Sequence, residues 1–229
     1  DISYEDFADF YEKVFRSRNK NVKTLLDVGC GTGTLTAIMA HRGYEMVAAD
    51  ASSDMLCIAQ EKFSELTDVI PPLFLCQSMT ELDLYGTVDA AISCLDAVNY
   101  LPPSDMPEFL RLMHLFIEPD GIFIFDINSP ERLRSLDGFT SVDEDENSLC
   151  LWRADFDVDE NALYYGMDIF TRRGRFWQRS FEEHVEYSYE PQELLKLLSE
   201  AGFTNSEICM NGPQNELGRV FIITENTSH

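Results

Sequence analysis

A glycine-rich stretch at residues 27–33 has the residue types and spacing that most clearly imply chemistry. It reads Asp-Val-Gly-Cys-Gly-Thr-Gly, between an apolar run and a helical pattern. Glycines at 29, 31 and 33 let the backbone turn sharply and come close to a ligand. A dinucleotide fingerprint would place its third glycine at position 34, where this chain has Thr34. The spacing therefore favours a cofactor without a pyrophosphate over a nicotinamide or flavin.

Asp50 is a carboxylate that could hold the sugar of such a cofactor. It ends the second apolar run of the sequence. At the carboxyl edge of a parallel sheet, an acid in this position can accept hydrogen bonds from both ribose hydroxyls. The alternative is an acid that caps the following helix, a role for which Ser52, Ser53 and Asp54 compete.

Four titratable side chains could remove a proton from a reacting group: Asp96, Asp126, His184 and Glu186. Asp126 ends the fifth predicted strand, at the same sheet edge as the sugar-binding acid, and its alternative role is to order a loop. His184 lies between Glu182 and Glu186 on one face of a predicted strand. It is therefore either a base tuned by carboxylates or part of an exposed polar face.

Alternating strand and helix patterns position these residues. Between residue 22 and about 128, short apolar runs alternate with amphipathic helical patterns, which is typical of a parallel sheet covered by helices. The predicted strands are 23–28, 45–50, 72–77, 88–94 and 122–126, and the predicted helices are 4–18, 34–41, 53–66 and 104–117. The chain opens directly on the first helical pattern without Met, so we expect further residues upstream.

The pattern changes after residue 128. Residues 137–147 are acidic and polar, and they predict a mobile loop. Residues 149–189 alternate strands with turns at 157–161 and 172–175, which predicts an antiparallel meander. A helix ending at Gly202 and two closing strands follow, over 191–201, 204–210 and 219–225. We expect a single domain over 1–229, with an inserted β-meander at 148–190 acting as a lid and acceptor platform.

The composition of the chain limits the kinds of binding partner that we expect. Forty-one acidic residues against 17 basic ones give a net charge of −24, which repels a phosphate backbone, so we expect no nucleic-acid substrate. We expect no membrane span, because no apolar run approaches roughly 20 residues. The scattered cysteines favour buried free thiols in a reducing cytoplasm, and no compact ligand cluster indicates a metal site. Monomer and dimer both remain open.

Three segments together resemble the class I S-adenosylmethionine (SAM)-dependent methyltransferases. They are Asp-Val-Gly-Cys-Gly-Thr-Gly at 27–33, Asp-Ala-Ser at 50–52 with Met-Leu at 55–56, and Leu-Phe-Ile-Glu-Pro-Asp-Gly at 115–121. The resemblance covers most of 22–128, and the first motif is the specific one. It implies an α/β fold, a doubly wound Rossmann-like seven-stranded sheet of order 3-2-1-4-5-7-6 with strand 7 antiparallel, here carrying the small antiparallel β-meander.

The resemblance also implies which residues hold the cofactor SAM. Asp27, Gly29, Gly31 and Gly33 would surround its methionine part, with Cys30 in the same turn, and Asp50 would hold its ribose. Ala51 and Met55 would lie beside the adenine or ribose. Ser78 stands where the family often has an acid that reaches the adenine amino group, with Met79 next to it. The segment 94–100, beginning with Cys94 and Leu95, would lie where cofactor and acceptor meet.

We therefore expect methyl transfer to a small-molecule acceptor, through oxygen or nitrogen, by in-line displacement in which the enzyme mainly supplies alignment. The expected bases are Asp126, His184 and Asp96. One alternative is a protein-directed methyltransferase. Another is a module that binds SAM or its product as a sensor or scaffold without turnover. The aromatic residues of the meander would either line an acceptor pocket or simply pack that sheet.

Overall fold

The computed structural model describes residues 3–213 and 218–227. These residues form eleven strands and six α-helices. The strands are β1 (Thr24–Val28), β2 (Glu45–Asp50), β3 (Leu73–Cys76), β4 (Val88–Ser93), β5 (Ile117–Asn128), β6 (Phe139–Glu144), β7 (Ser148–Asp157), β8 (Ala162–Arg173), β9 (Phe176–Tyr187), β10 (Phe203–Cys209) and β11 (Arg219–Asn226). The helices are α1 (Tyr4–Ser17), α2 (Thr34–His41), α3 (Ser53–Ser64), α4 (Met106–Phe116), α5 (Pro130–Ser135) and α6 (Pro191–Ala201), with a 3₁₀ turn at Ala97–Tyr100.

The larger sheet has seven strands in the order β10-β11-β5-β4-β1-β2-β3. Strands β1 to β5 pair in parallel. β11 lies antiparallel between β5 and β10. This topology confirms the predicted order 3-2-1-4-5-7-6 with an antiparallel seventh strand. All five parallel strands end at one edge, so the loops that follow β1, β2, β3 and β4 meet there.

The larger sheet buries apolar side chains on both faces, as expected for parallel strands covered by helices. On β5, Phe123 and Phe125 face the side covered by α4 and α6, whereas Ile122 and Ile124 face the side covered by α1 and α2; all four are 0% exposed. Each such side chain contributes about 1.5–3 kcal/mol on burial. Helix α1 joins this core through Phe7, Tyr11 and other residues on its apolar face.

The second sheet is antiparallel and has the order β6-β7-β8-β9. The sequence predicts a loop over 137–147, and this prediction is wrong because β6 occupies Phe139–Glu144 and pairs along β7. The second sheet therefore begins well before residue 148. The acidic side chains that argued against a strand are exposed on this edge strand, where charge carries little desolvation cost and also discourages pairing with other chains.

One end of the second sheet is anchored to the rest of the protein. Ala154 on β7 and Leu163 on β8 pack with Leu133 of α5 in a small buried cluster. Since opposed residues of antiparallel strands share a face, the pair Tyr165 and His184 projects on the same side as this anchor. That side of the sheet faces the carboxyl edge of the larger sheet. On the outer face, the Asp168 carboxylate accepts hydrogen bonds from Arg153 and Arg179 at 2.5 and 2.6 Å.

Local sequence features set the element boundaries. Side-chain oxygens of Ser3, Ser52 and Ser129 accept backbone hydrogen bonds as N-caps of α1, α3 and α5. Gly202 ends α6 with φ 104°, which confirms the predicted left-handed cap. The prediction of buried cysteines is wrong for Cys57 and Cys76, which are exposed free thiols.

None of the helices within 3–213 and 218–227 has the length and apolar character needed to cross a bilayer. In the same ranges, no group of three or more histidine, cysteine, aspartate or glutamate side chains is arranged to hold a metal ion.

Candidate active site

A cavity of about 740 Å³ opens at the carboxyl edge of the larger sheet. Its walls come from the loops after β1, β2, β3 and β4, together with one residue of α1 and one of β9. The lining residues are Tyr4, Val28, Gly29, Cys30, Gly31, Thr32, Thr34, Leu35, Ala49, Asp50, Ala51, Ser52, Met55, Gln77, Ser78, Met79, Leu82, Cys94, Leu95, Ala97, Tyr100, Leu101 and His184. We call the part lined by Tyr100, Leu101 and His184 the acceptor end.

The loop after β1 requires glycine for two physical reasons. Gly29 has φ 73°, and a Cβ there would lie 2.8 Å from the Cβ of Ala97, so a side chain would both strain the backbone and collide. Gly31 has φ 54°, and its N–H donates to Asp50 Oδ2 at 2.8 Å. The loop thus has no side chain at Gly29 and Gly31, and it is held by the carboxylate at the end of β2.

Asp50 lines the cavity and connects two loops. Its Oδ2 accepts the Gly31 N–H and its Oδ1 accepts the Ser52 N–H, both at 2.8 Å. The cap of α3 is instead Ser52, whose hydroxyl accepts the Met55 N–H at 3.3 Å. A carboxylate oxygen has more than one lone pair, so Asp50 retains acceptor capacity toward the cavity. Ser52 therefore fills the role of helix cap that was the alternative for Asp50.

Asp27 lies behind the glycine loop and does not line the cavity. It is 0% exposed, and its Oδ2 accepts the Thr36 hydroxyl at 2.5 Å. Its Oδ1 has no hydrogen-bond partner among the described residues. Burial raises the pKa of Asp27 to about 6, and the Thr36 hydrogen bond opposes that rise. A buried carboxylate oxygen without a donor suits a ligand that brings a cationic or N–H group, as the methionine part of SAM does.

The opposite end of the cavity is formed after β2 and β3. Met55 of α3 and Met79 provide flexible apolar surface, and Ala51 leaves room between them. The Ser78 hydroxyl contacts Thr80 Oγ1 at 3.2 Å and Glu81 Oε2 at 3.3 Å. This composition, apolar walls with one hydroxyl, suits a flat heterocycle such as adenine.

The loop after β4 holds two non-glycine residues in the left-handed backbone region. Leu95 has φ 57° and Asp96 has φ 56°. Such conformations cost on the order of 1–3 kcal/mol each and persist only where the surroundings fix them. Here the Asp126 carboxylate accepts both N–H groups, each at 2.9 Å. Arg219 of β11 donates to Asp126 and, at 2.8 Å, to Asp96 Oδ1.

Asp126 is therefore not placed as a base facing an acceptor. Its side chain is 0% exposed and does not line the cavity, because the turn that it orders lies between it and the open space. Burial raises its pKa to about 6, although the Arg219 guanidinium opposes the rise. The geometry corresponds to the alternative expectation, an acid that orders a loop. Asp96 likewise lies outside the cavity lining, since its side chain turns toward Arg219.

His184 does reach the cavity. Its ring lies edge-on to the Tyr100 ring, with centroids 5.9 Å apart, at the acceptor end. Of the two flanking carboxylates, Glu182 lies 3.8 Å away and is exposed. Glu186 is only 3% exposed and accepts a hydrogen bond from Asn128 at 2.8 Å. Burial, with Asp96 nearby, raises the pKa of Glu186 to about 7.

The structure brings most of the predicted site residues to one cavity and leaves five outside its lining. Those that line it are Gly29, Cys30, Gly31, Asp50, Ala51, Met55, Ser78, Met79, Cys94, Leu95 and His184; those outside are Asp27, Gly33, Asp96, Asp126 and Glu186. Sequence reasoning missed Tyr4, which reaches the cavity from α1. Its only signal was a polar-ended aromatic residue at the start of an otherwise apolar helix face.

Comparisons with known proteins identify methyltransferases as relatives of this chain. Residues 25–121 match a family model described as a methyltransferase domain. YqeM of Bacillus subtilis (strain 168), named as a methyltransferase, is 31% identical over 182 residues, covering 78% of this chain and 72% of YqeM. A crystal structure of a SAM-dependent methyltransferase from Clostridium acetobutylicum superimposes with a TM-score of 0.86 at 26% identity, covering 100% of this chain and 94% of that one.

A more distant structure shares the fold alone. The sugar N-methyltransferase KedS8 from a Streptoalloteichus species gives a TM-score of 0.84 at 20% identity, covering 99% of this chain and 89% of that one.

The fold is that of an α/β protein with a cavity at the carboxyl edge of a mostly parallel sheet. Together with the relatives, these features place the chain in a particular family: it belongs to the class I SAM-dependent methyltransferases. The protein is thus a SAM-dependent methyltransferase, and its cofactor is SAM. This confirms the resemblance read from the sequence motifs.

Proposed function

We propose that this enzyme transfers the methyl group of SAM to a small-molecule acceptor, at oxygen or nitrogen, that binds beneath the second sheet. The observation that carries the proposal is the continuity of the cavity from Asp50 to Tyr100 and His184. A cavity of about 740 Å³ lies in the size range of small-molecule sites. SAM supplies a methyl group that its sulfonium has already activated.

The residues around the glycine loop would hold the cofactor. Asp50 would accept hydrogen bonds from the ribose, and the free Oδ1 of Asp27 would face the methionine ammonium. Gly29 and Gly31, with Cys30 between them, would let the backbone approach, while Gly33 would start α2 behind them. Met55 and Met79 would enclose the adenine, with Ala51 and Ser78 at its rim. These roles use acceptor capacity and space that the described residues leave available.

The acceptor end would orient the second reactant. Cys94 and Leu95, which line the cavity, would lie where cofactor and acceptor meet, and Asp126 and Arg219 would act as positioning residues that hold the Leu95–Asp96 turn. His184 would take a proton from the acceptor, since it is the titratable side chain of the second sheet that lines the cavity. The second sheet would thus serve as lid and acceptor platform, and its aromatic residues would exclude water.

The first test is calorimetric titration of the purified protein with S-adenosylhomocysteine, beside NAD as a control. We expect saturable one-to-one binding of S-adenosylhomocysteine and none of NAD. Binding of NAD instead would overturn the assignment of the glycine loop.

A second test addresses the size of the acceptor. Release of S-adenosylhomocysteine from SAM is measured with a cell extract divided by ultrafiltration into small-molecule and protein fractions. We expect release with the small-molecule fraction only. Release only with the protein fraction would establish a protein-directed enzyme, and tight binding without release from either would favour a sensor or scaffold.

A further inference from the structure

A cluster of buried hydrogen-bond acceptors lies beside the acceptor end. Asp126 and Asn128 project from the same face of β5, and Arg219 pairs opposite Asn128 on β11. Arg219 joins this pair to Asp96, whereas Asn128 Nδ2 donates to Glu186 of β9 at 2.8 Å. The larger sheet, the turn after β4 and the second sheet therefore each contribute an acceptor to one region.

One acceptor in this cluster lacks a donor. Asn128 is 4% exposed, and its Oδ1 has no hydrogen-bond partner among the described residues. Its own Nδ2 is used by Glu186, so this oxygen lies within the cluster. A buried amide oxygen left unpaired is destabilising, because it has lost its hydrogen bonds to water and gained none in return. Such an oxygen points to a donor that arrives with a ligand.

The charge around this oxygen favours a cation. Burial is the main cause of the raised pKa values of Tyr100 and Tyr165, and nearby Glu186 and Asp96 raise both further, so these two acids lie close to both aromatic rings. The Arg219 guanidinium already pairs with Asp96 and Asp126. An ammonium group close to Asp96, Glu186 and the two tyrosine rings would gain cation–π contact and would favour the ionised form of Glu186, whose pKa burial raises to about 7.

We propose that the methyl acceptor is an amine whose nitrogen binds beside Asp96, Glu186 and the free oxygen of Asn128. This deepens the proposed function and rests on it. A hydroxyl acceptor would bring no charge to the two carboxylates, whereas an amine brings one both before and after transfer.

Methyl transfer to an amine conserves both atoms and charge. The ammonium gives one proton to His184, and the nitrogen lone pair then forms the N–C bond to the methyl carbon. The electron pair of the C–S bond remains on sulfur as a neutral thioether, and the positive charge passes to the methylated nitrogen. Asp96 and Glu186 therefore face a cation in both the bound reactant and the product.

Matched probes test this proposal without knowledge of the natural acceptor. Cyclohexylamine and cyclohexanol have the same ring and differ in the group that each presents, and at neutral pH only the first is a cation. Each is titrated calorimetrically into the full chain saturated with S-adenosylhomocysteine. We expect the amine to bind at least about tenfold more tightly, the scale of one charged hydrogen bond.

Substitutions of single acidic residues then test which of them bind the amine. Asp96→Asn and Glu186→Gln are each expected to weaken amine binding by about tenfold and to leave S-adenosylhomocysteine affinity unchanged. Asp155→Asn and Glu183→Gln remove exposed acids of the second sheet and are expected to leave amine binding unchanged. Thermal unfolding of every variant checks that it is folded.

Several outcomes would overturn the amine assignment: equal affinity for the two probes, tighter binding of cyclohexanol, no saturable binding of the amine, or full amine affinity in both Asp96→Asn and Glu186→Gln. The last would mean that the amine binds away from this cluster. Failure to bind S-adenosylhomocysteine, which is measured first, would instead count against the proposed function. The two failures are therefore distinguishable.

Discussion

At the scale of single residues, the Asp50 carboxylate connects the glycine loop to the start of α3 through two backbone N–H groups. We expect Asp50→Ala to weaken S-adenosylhomocysteine binding by about 10- to 100-fold, because a charged hydrogen bond contributes about 1.5–3 kcal/mol. Calorimetry measures the affinity, and urea denaturation should show that the fold persists. Asp54→Ala, which removes an exposed acid in the first turn of α3, is the matched control. Equal affinity in both variants would remove Asp50 from the ribose site.

A second residue-scale prediction concerns Asp27 and pH. Its folded pKa is about 6, against roughly 3.9 in an unfolded chain, because burial disfavours the charged form. Between these values the folded state binds more protons than the unfolded state, so rising pH lowers the stability of the cofactor-free protein. Asp27→Asn has no such dependence at this position. The wild type loses stability as pH rises and the variant does not. The free energy of unfolding of Asp27→Asn, relative to that of the wild type, should therefore rise with pH and level off above about 7.

The size of this rise follows from the pKa difference, which corresponds to about 2–3 kcal/mol. Urea denaturation between about pH 5 and pH 8 avoids the isoelectric region near 4.3 and covers about half of this rise, roughly 1.4 kcal/mol. A difference that shrinks with pH would show that the Asp27 carboxylate is better stabilised as an anion than its burial implies.

At the scale of elements, the turn after β4 depends on a pairing with β11. Arg219→Met would leave the buried Asp126 and the partly buried Asp96 without their cation, so we expect the free energy of unfolding to fall by about 3–5 kcal/mol. Arg219→Lys keeps the charge and should recover part of this loss. Arg16→Met, which removes an exposed pair with Glu12, should change stability by less than about 0.5 kcal/mol. Similar losses in the Arg219 and Arg16 variants would contradict the role of the pairing.

The same turn shows how far sequence reasoning extends. Alternating patterns place Asp50 and Asp126 at one sheet edge, since parallel strands all end there. These patterns do not show how deeply a side chain at the sheet edge is buried, so they could not show that Asp126 lies beneath the Leu95–Asp96 turn. The partner of Asp126 is 93 positions away on β11, and no local pattern links the two.

Composition misled at β6 for a related physical reason. An edge strand pairs on one side only and can carry exposed acids such as Asp143 and Glu144, so its sequence resembles a loop. Tyr4 was missed because helical periodicity assigns α1 to the core and does not show that its first residue reaches beyond the core to the cavity.

At the scale of the whole molecule, the net charge of −24 implies strong self-repulsion in the compact state. Sodium chloride screens this repulsion, with a Debye length that falls from about 30 Å at 0.01 M to about 10 Å at 0.1 M. We therefore expect the Tm to rise over this range, although surface ion pairs such as Arg42 with Glu5 are weakened. A Tm that falls with added chloride would mean that the ion pairs outweigh the repulsion.

The position of β11 has a consequence for synthesis of the protein. This strand follows every other described element in the chain, yet it lies inside the sheet between β5 and β10 and supplies Arg219 to the turn after β4. During translation, the glycine loop and Asp50 leave the ribosome long before Arg219, the residue that holds the Leu95–Asp96 turn. We therefore expect a nascent chain stalled before residue 219 to lack an ordered Leu95–Asp96 turn, and so to be unable to align an acceptor until the last strand has been made.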